Sequence, residues 1–343
     1  MTLPFPPPLQ PMLAKLADEI PTGDGWLYEP KWDGFRAIVW CDPPELVIHS
    51  RDQRDLKRYF PDLIEPLKAS LPKGAVVDCE IVIPSDHGLA FESLLMRIHP
   101  AESRVRMLSQ ETPASVVVFD LLGLKSKDLR NEPLEARRAL LESAVGKPVT
   151  PAKLQKLARG KGLEVVIGPA TSNSSTADRW FWDLEELGLD GIVAKRLSSS
   201  YLPNKRGWIK VKHKRTADCV VGGYRLSKSK DGIGSLLLGL YRGSVLHYVG
   251  HTSSFKAAER RELLALMNEH KGEGGFSHGR SPGGPSRWAH DSETNWFPVK
   301  PDLVCEVSYD HLQGDRFRHA TTFLRWRPDK PPAECTYDQL DHP

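Results

Sequence analysis

The chain has 343 residues, 40% of them hydrophobic and 27% charged, with a formal net charge of +3. That length admits two domains and strains a single core, while so mild a positive balance neither demands nor excludes nucleic acid and leaves the decision to local clustering. No run approaches the roughly 20 apolar residues of a membrane span, and the Pro-rich start MTLPFPPPLQPML shows no secretory leader. The five cysteines (41, 79, 219, 305 and 335) never fall in a CxxC spacing, which argues against a zinc ribbon and a disulfide framework and suits a reducing cytoplasm.

Between about 26 and 120 the pattern predicts mostly strands: FRAIVW (35–40), ELVIHS (45–50), AVVDCEIVI (75–83) and SVVVFDLL (115–122). NEPLEARRALLESAV (131–145) predicts a helix capped by Asn131, with Pro133 in its first turn. SSTADRWFWDLEELG (174–188) predicts a second helix, from its Ser/Thr start to Gly188 as C-cap. Two further strands follow, GIVAKR (191–196) and GWIKVKH (207–213). Near residue 215 the character changes to short strands with Gly turns (DCVVGGYRL, SLLLGLYRG, VLHYVGHT, LVCEVSYDHL, TFLRWRP) around one helix, FKAAERRELLALMNEH (255–270), a pattern that predicts a small β-barrel. Domains are therefore expected at 1–214 and 215–343, with the Gly/Ser/Pro-rich stretch 272–288, carrying Arg280 and Arg287, as a mobile loop.

Four constellations carry charge in patterns that need explaining. EPKWDGFRA (29–37) sets Lys31 between acids, either as a turn residue before a strand or as a nucleophile. In VVDCEIVIP, alternation puts Val77, Cys79, Ile81 and Ile83 on one strand face and Asp78, Glu80 and Val82 on the other. Two carboxylates so placed repel unless solvated at an edge, paired, or sharing a cation, and the last two options admit a ribose or metal contact. KRGWIKVKHKR (205–215) holds six Lys/Arg in eleven residues, with Trp208, Lys210 and Lys212 on one face: a lysine-guarded edge or a phosphate site. FLRWRPDK (323–330) aligns Arg325 and Arg327 between aromatics, which suits phosphate or nucleic acid as well as a solvated barrel face.

In this order, from about residue 8 to 335, these strings resemble the motifs of the covalent nucleotidyltransferases, and among them the ATP-dependent DNA ligases. KWDG (31–34), Ser50-Arg51, Asp78-x-Glu80 with FDLL (119–122), DGIVAK (190–195), WIKVK (208–212) and RPDK (327–330) match the six motifs in sequence. DGIVAKR and FLRWRPDKPPAEC are similar to the small bacterial ligase C branch, close to the ligase domain of ligase D. Two positions depart from the family pattern: Asp190 stands for a Glu, and Cys79 for a Gly.

The resemblance implies an α+β fold, with an ATP-grasp-like nucleotidyltransferase domain built on antiparallel sheets and then a C-terminal OB-fold barrel. It implies an ATP-dependent ligase that seals nicks in duplex DNA through lysyl-AMP, in DNA repair, as a cytoplasmic, nucleoid-associated monomer in the company of other repair proteins. By that likeness Lys31 is the nucleophile, and desolvation with nearby cations favours its neutral amine. Glu29 reads the adenine amino group, Phe119 stacks on the base, Glu80 and Arg36 hold the ribose, and Lys195 lines the pocket. Arg51, Lys210 and Lys212 neutralise phosphate charge. Asp33, Glu80 and Asp190 face Mg²⁺ or Mn²⁺, and Arg327, Asp329 and Lys330 orient pyrophosphate. The rivals are an RNA ligase, an mRNA-capping guanylyltransferase, an NAD-dependent ligase (disfavoured because its zinc cysteines are missing) and a catalytically dead OB-type DNA-binding module.

Overall fold

The computed structural model describes residues 3–272, 275–276, 282 and 295–340. The expected loop at 272–288, with Arg280 and Arg287, therefore lies largely outside the described residues. The chain divides into two compact units, Met1–His213 and Lys214–Pro343.

The strands that build the first unit are β1 (Leu13–Ala17), β2 (Trp26–Trp32), β3 (Phe35–Asp42), β4 (Glu45–Ser50), β5 (Ala75–Val82), β6 (Ser115–Leu124), β7 (Val165–Ile167), β8 (Leu189–Arg196) and β9 (Arg206–Lys212). They form two sheets, ordered β1-β9-β8-β2 and β7-β6-β5-β3-β4. Pairing is antiparallel except at one edge of each sheet, where β1 runs parallel to β9 and β7 parallel to β6. Both sheets are thus mixed, where antiparallel ones were expected. Both charged strands prove interior: β5 lies between β6 and β3, and β9 between β1 and β8, which removes the solvated-edge readings of Asp78/Glu80 and of Lys210/Lys212.

Alternation holds along β5. Val77, Cys79 and Ile81 enter one core with Ala37, Val39 and Val118. Val76, on the opposite face, joins a second core with Ile38, Trp40, Phe119, Tyr201, Met12 and Trp208. Side chains of both sheets meet in that second core, so Asp78 and Glu80 point to the space between the sheets. Cys79 stands opposite Ala37, fully buried, with its thiol donating to Ala37 O at 3.3 Å. A side chain where the resemblance leads one to expect glycine is thus accommodated by filling this core.

The helices are α1 (Ile64–Ser70), α2 (Phe91–Arg97), α3 (Glu102–Glu111), α4 (Leu134–Val145), α5 (Pro151–Ala158) and α6 (Ser174–Asp183). Asn131 does not cap α4: the helix starts at Leu134 with Pro133 at N-cap, whose fixed φ of −63° is ready for the first turn. Asn173, not a Ser or Thr, caps α6 by accepting from the Thr176 amide. That helix ends at Asp183, and a 3₁₀ turn over Glu185–Leu187 leads to the left-handed Gly188.

The second unit comprises β10 (Arg215–Leu226), β11 (Ile233–Arg242), β12 (Val245–Thr252), α7 (Ala257–Glu269), β13 (Val304–Tyr309) and β14 (Thr322–Trp326). The order β12-β11-β10-β13-β14 is antiparallel throughout. A Thr252↔Thr321 bridge joins the two outer strands and closes the sheet on itself. A five-stranded closed sheet with a helix between its third and fourth strands is the OB-fold. Leu263 and Met267 of α7 enter its core.

Candidate active site

Lys31 sits near the end of β2, and β8 meets β2 through a bulge there. Leu189 pairs with Trp32 and Ile192 with Pro30, so Asp190 and Gly191 together oppose Lys31. A bulge of this kind re-aims a side chain, and here it brings Asp190 Oδ1 to 2.5 Å from Lys31 Nζ. The other oxygen, Oδ2, lies 3.0 Å from Lys212 Nζ on β9. Only glycine serves at 191. Its φ is +145°, and a Cβ there would lie 2.0 Å from Val211 O. Desolvation, with Lys212 and Lys31 beside it, holds the Lys210 amine below its ordinary pKa.

The Asp33-Gly34 turn joins β2 to β3 and lies against β5. A Cβ on Gly34 would sit 2.3 Å from Ile81 O and 2.8 Å from Glu80 Cγ, so glycine permits the close approach that sets Lys31 and Asp33 beside Glu80. Desolvation pushes the Glu80 carboxyl up to about 8, the Asp33 and Asp78 charges add to it, and Lys31 and Arg36 oppose it. With its folded value above the ordinary 4.5, Glu80 takes up a proton on folding. Its contribution to stability is whole below the unfolded value and is lost as pH rises towards 8. Between about pH 5 and about pH 8 the wild-type melting temperature should therefore fall relative to that of Glu80→Gln. A constant difference across that range would contradict this environment for Glu80.

Arg36, expected to act with Glu80, is held by Asp78 instead: Nε donates to Oδ1 at 3.0 Å and an Nη to Oδ2 at 2.6 Å. The Tyr201 hydroxyl also donates to Asp78 Oδ2, at 2.6 Å, and accepts from the Met12 amide at 2.9 Å. Burial and Asp78 raise the phenol's pKa, which keeps it a donor. So fixed, the Arg36 guanidinium lies 5.5 Å from the Phe119 ring centre and 4.7 Å from that of Trp208. Phe119 owes its place to a second bulge, since Asp78 pairs with Asp120 but Cys79 with Val118. Asp120, opposite Asp78, is neutralised by Arg137 through bonds of 2.8 and 2.9 Å, with both side chains fully buried.

Glu29 is buried. Lys195 Nζ lies 2.6 Å from its Oε2 and 4.5 and 4.3 Å from the ring centres of Phe119 and Trp208. Arg138 of α4 approaches its Oε1 at 3.5 Å. The structure thus gathers Glu29, Lys31, Asp33, Arg36, Glu80, Phe119, Asp190, Lys195, Lys210 and Lys212 around the space between the sheets. Arg51 stands apart on the turn after β4, 65% exposed, 3.5 Å from Asp52.

Arg327 and Lys330 belong to the second unit. Arg327 makes bonds of 2.9 and 3.0 Å to Asp218 and further bonds to Asp329, and Lys330 pairs with Glu334 at 3.0 Å. Arg325 reaches Glu306 at 2.6 Å. Asp218 and Glu306 are cross-strand partners, so both arginines do face one way, each offsetting one acid of a like-charged pair.

Sequence reasoning missed Asp78 as the anchor of Arg36, and missed Tyr201 and Arg138 entirely. The signal available for Arg138 was a pair of arginines, 137 and 138, set inside an otherwise Ala/Leu-rich helix.

A family model described as "ATP dependent DNA ligase domain" matches residues 11–212, and one described as "ATP dependent DNA ligase C terminal region" matches residues 229–330. The chain belongs to the ATP-dependent DNA ligases. It is 45% identical to DNA ligase C1 of Mycolicibacterium smegmatis, over all of this chain and 97% of that protein. Identity to DNA ligase C of Mycobacterium tuberculosis is also 45%, over all of this chain and 96% of that one. A multifunctional non-homologous end joining protein LigD of Mycobacterium bovis is 28% identical over 90% of this ligase, which spans 37% of its length. A solved structure from work on Lig E DNA ligases superposes with a TM-score of 0.57 at 15% identity, covering 92% of this ligase and 99% of that chain, a likeness of fold. No described helix of the ligase is long and apolar enough to cross a membrane.

Proposed function

We propose that this ligase seals nicks in duplex DNA by way of an AMP adduct on Lys31, as part of DNA repair. One observation carries the reading: a single carboxylate, Asp190, holds both Lys31 Nζ (2.5 Å) and Lys212 Nζ (3.0 Å). It sets a primary amine among cations suited to a triphosphate, with Phe119 and Trp208 close by for a base.

Lys31, once deprotonated, attacks the α-phosphorus of ATP. A P–N bond forms and the bond to pyrophosphate breaks. The 5′-phosphate of the nick then attacks the same phosphorus and displaces Lys31, giving a DNA-adenylate. Finally the 3′-hydroxyl attacks the 5′-phosphorus, loses its proton and expels AMP. Holding AMP on an amine divides one difficult condensation into displacements with good leaving groups.

Within this scheme Glu29 reads the adenine amino group, Phe119 stacks on the base, and Arg36, fixed by Asp78, meets the ribose with Glu80. Lys195 lines the base pocket. Lys210 and Lys212 offset charge as it shifts among phosphate oxygens, a role that the exposed Arg51 does not share in this arrangement.

Asp33, Glu80 and Asp190 suit a divalent cation. Oxygens of Asp33 and Asp190 lie within 4.8 Å of one another, and burial, with the Asp33 and Asp78 charges adding to it, raises the pKa of the Glu80 carboxyl beside them. Mg²⁺ or Mn²⁺ bound there supplies polarisation of the phosphoryl oxygens.

The test offers nicked DNA and nicked RNA with ATP, GTP or NAD⁺. Sealing of DNA with ATP is expected. Preferential sealing of RNA, or labelling by GTP, would favour an RNA ligase or a guanylyltransferase and sink the reading.

A further inference from the structure

The guanidinium of Arg138 is fixed by two short bonds: Nε donates to Glu142 Oε1 at 2.6 Å and an Nη to Gly168 O at 2.7 Å. Its remaining arm stops 3.5 Å from Glu29 Oε1, while Lys195 holds Oε2 at 2.6 Å. Both acid and guanidinium are buried, Glu29 at 5% exposure and Arg138 at 6%. The oxygens of a carboxylate accept hydrogen bonds and offer no donor. The unequal distances matter. At 3.5 Å the Arg138 contact is mainly electrostatic, so it constrains Oε1 without consuming its capacity to accept. Lys195 alone would draw the carboxylate towards Oε2 and leave its tilt undefined.

We propose that Arg138 is a positioning residue for base selection: it aims Glu29 Oε1 at the 6-position of a purine, favouring an amino donor there over an oxo acceptor. The inference rests on the proposed contact between Glu29 and adenine and names the group that makes it selective. A carboxylate oxygen facing a purine O6 sets two acceptors against each other, which a site built to accept an N–H rejects strongly. A carboxylate free to rotate between two cations loses part of that rejection.

The experiment measures the single-turnover rate of AMP or IMP adduct formation from ATP and from ITP, which differ at the 6-position. In Arg138→Gln the ATP-over-ITP preference in rate at subsaturating nucleotide should fall by about tenfold. The half-saturating ATP concentration should rise, and the rate at saturation should change less. Arg138→Lys, which restores the charge but not both short bonds, should recover part of the preference. A purely structural role would lower the melting temperature and leave the ratio alone. Should Arg138→Gln not fold, Glu142→Ala removes one of its two anchors and should reduce the preference about threefold.

Glu29→Gln separates the two claims. If it erases the preference while the Arg138 and Glu142 variants keep the wild-type ratio, the role of Arg138 is overturned and the adenine contact stands. If Glu29→Gln also keeps the ratio, the adenine contact fails and the proposal goes with it.

Discussion

Lys31→Ala is expected to abolish the enzyme–AMP adduct, lowering label transferred from ATP by about four orders of magnitude or to the detection limit. No neighbour can substitute. Lys212 and Lys210 lie on another strand, and Lys212 is itself held by Asp190. Lys31→Arg should not rescue, because a guanidinium stays protonated at any pH the protein survives. A nick that already carries a 5′-adenylate needs no amine. The alanine variant should therefore seal it at a rate within about tenfold of wild type, since electrostatic groups act without the nucleophile. Loss of both activities together would indicate a collapsed site rather than a missing nucleophile. Retained adduct would refute the assignment.

Asp190→Asn carries the second large expectation. The substitution keeps size and removes charge from a group that touches two ammonium nitrogens. Lys31 and Lys212 then repel each other in a partly buried site, and Lys31 loses the contact that orients it. Adduct formation should slow by about 10² to 10³, the scale of losing one preorganised electrostatic partner. Breaking a partly buried pair should also cost about 2 kcal/mol of stability, read as a lower denaturation midpoint. Asp190→Glu restores the charge with a longer arm and the family's residue, so it should recover more than the amide does. If the amide variant forms adduct at the wild-type rate, the bridging carboxylate is not part of the chemistry.

Strands were legible where one face is buried. ELVIHS and VLHYVGHT coincide with their observed limits, because alternation and flanking turns bound them on both sides. What sequence could not show is who pairs with whom. Asp78 and Glu80 share a face of β5, yet Arg36 chooses Asp78, because Tyr201 also donates to that carboxylate. That contact spans 123 residues and leaves no local pattern. The bulges at Phe119 and at Asp190-Gly191 were equally invisible: they are properties of a strand and its partner, while alternation describes one strand alone. Helix limits failed for a related reason. The start of α4 is set by Pro133, and the end of α6 passes through a 3₁₀ turn that periodicity reads as more helix. The candidate site was legible as a collection of residue types in order. Its electrostatic wiring was not, since each carboxylate's partner comes from another strand or helix.

Peptide mapping of the wild-type protein after incubation with ATP and a divalent cation, under conditions that preserve a P–N bond, tests the central claim most directly. The account predicts AMP on the peptide carrying residues 29–36, attached at Lys31. AMP found on Lys195, Lys210, Lys212 or any other residue would contradict it.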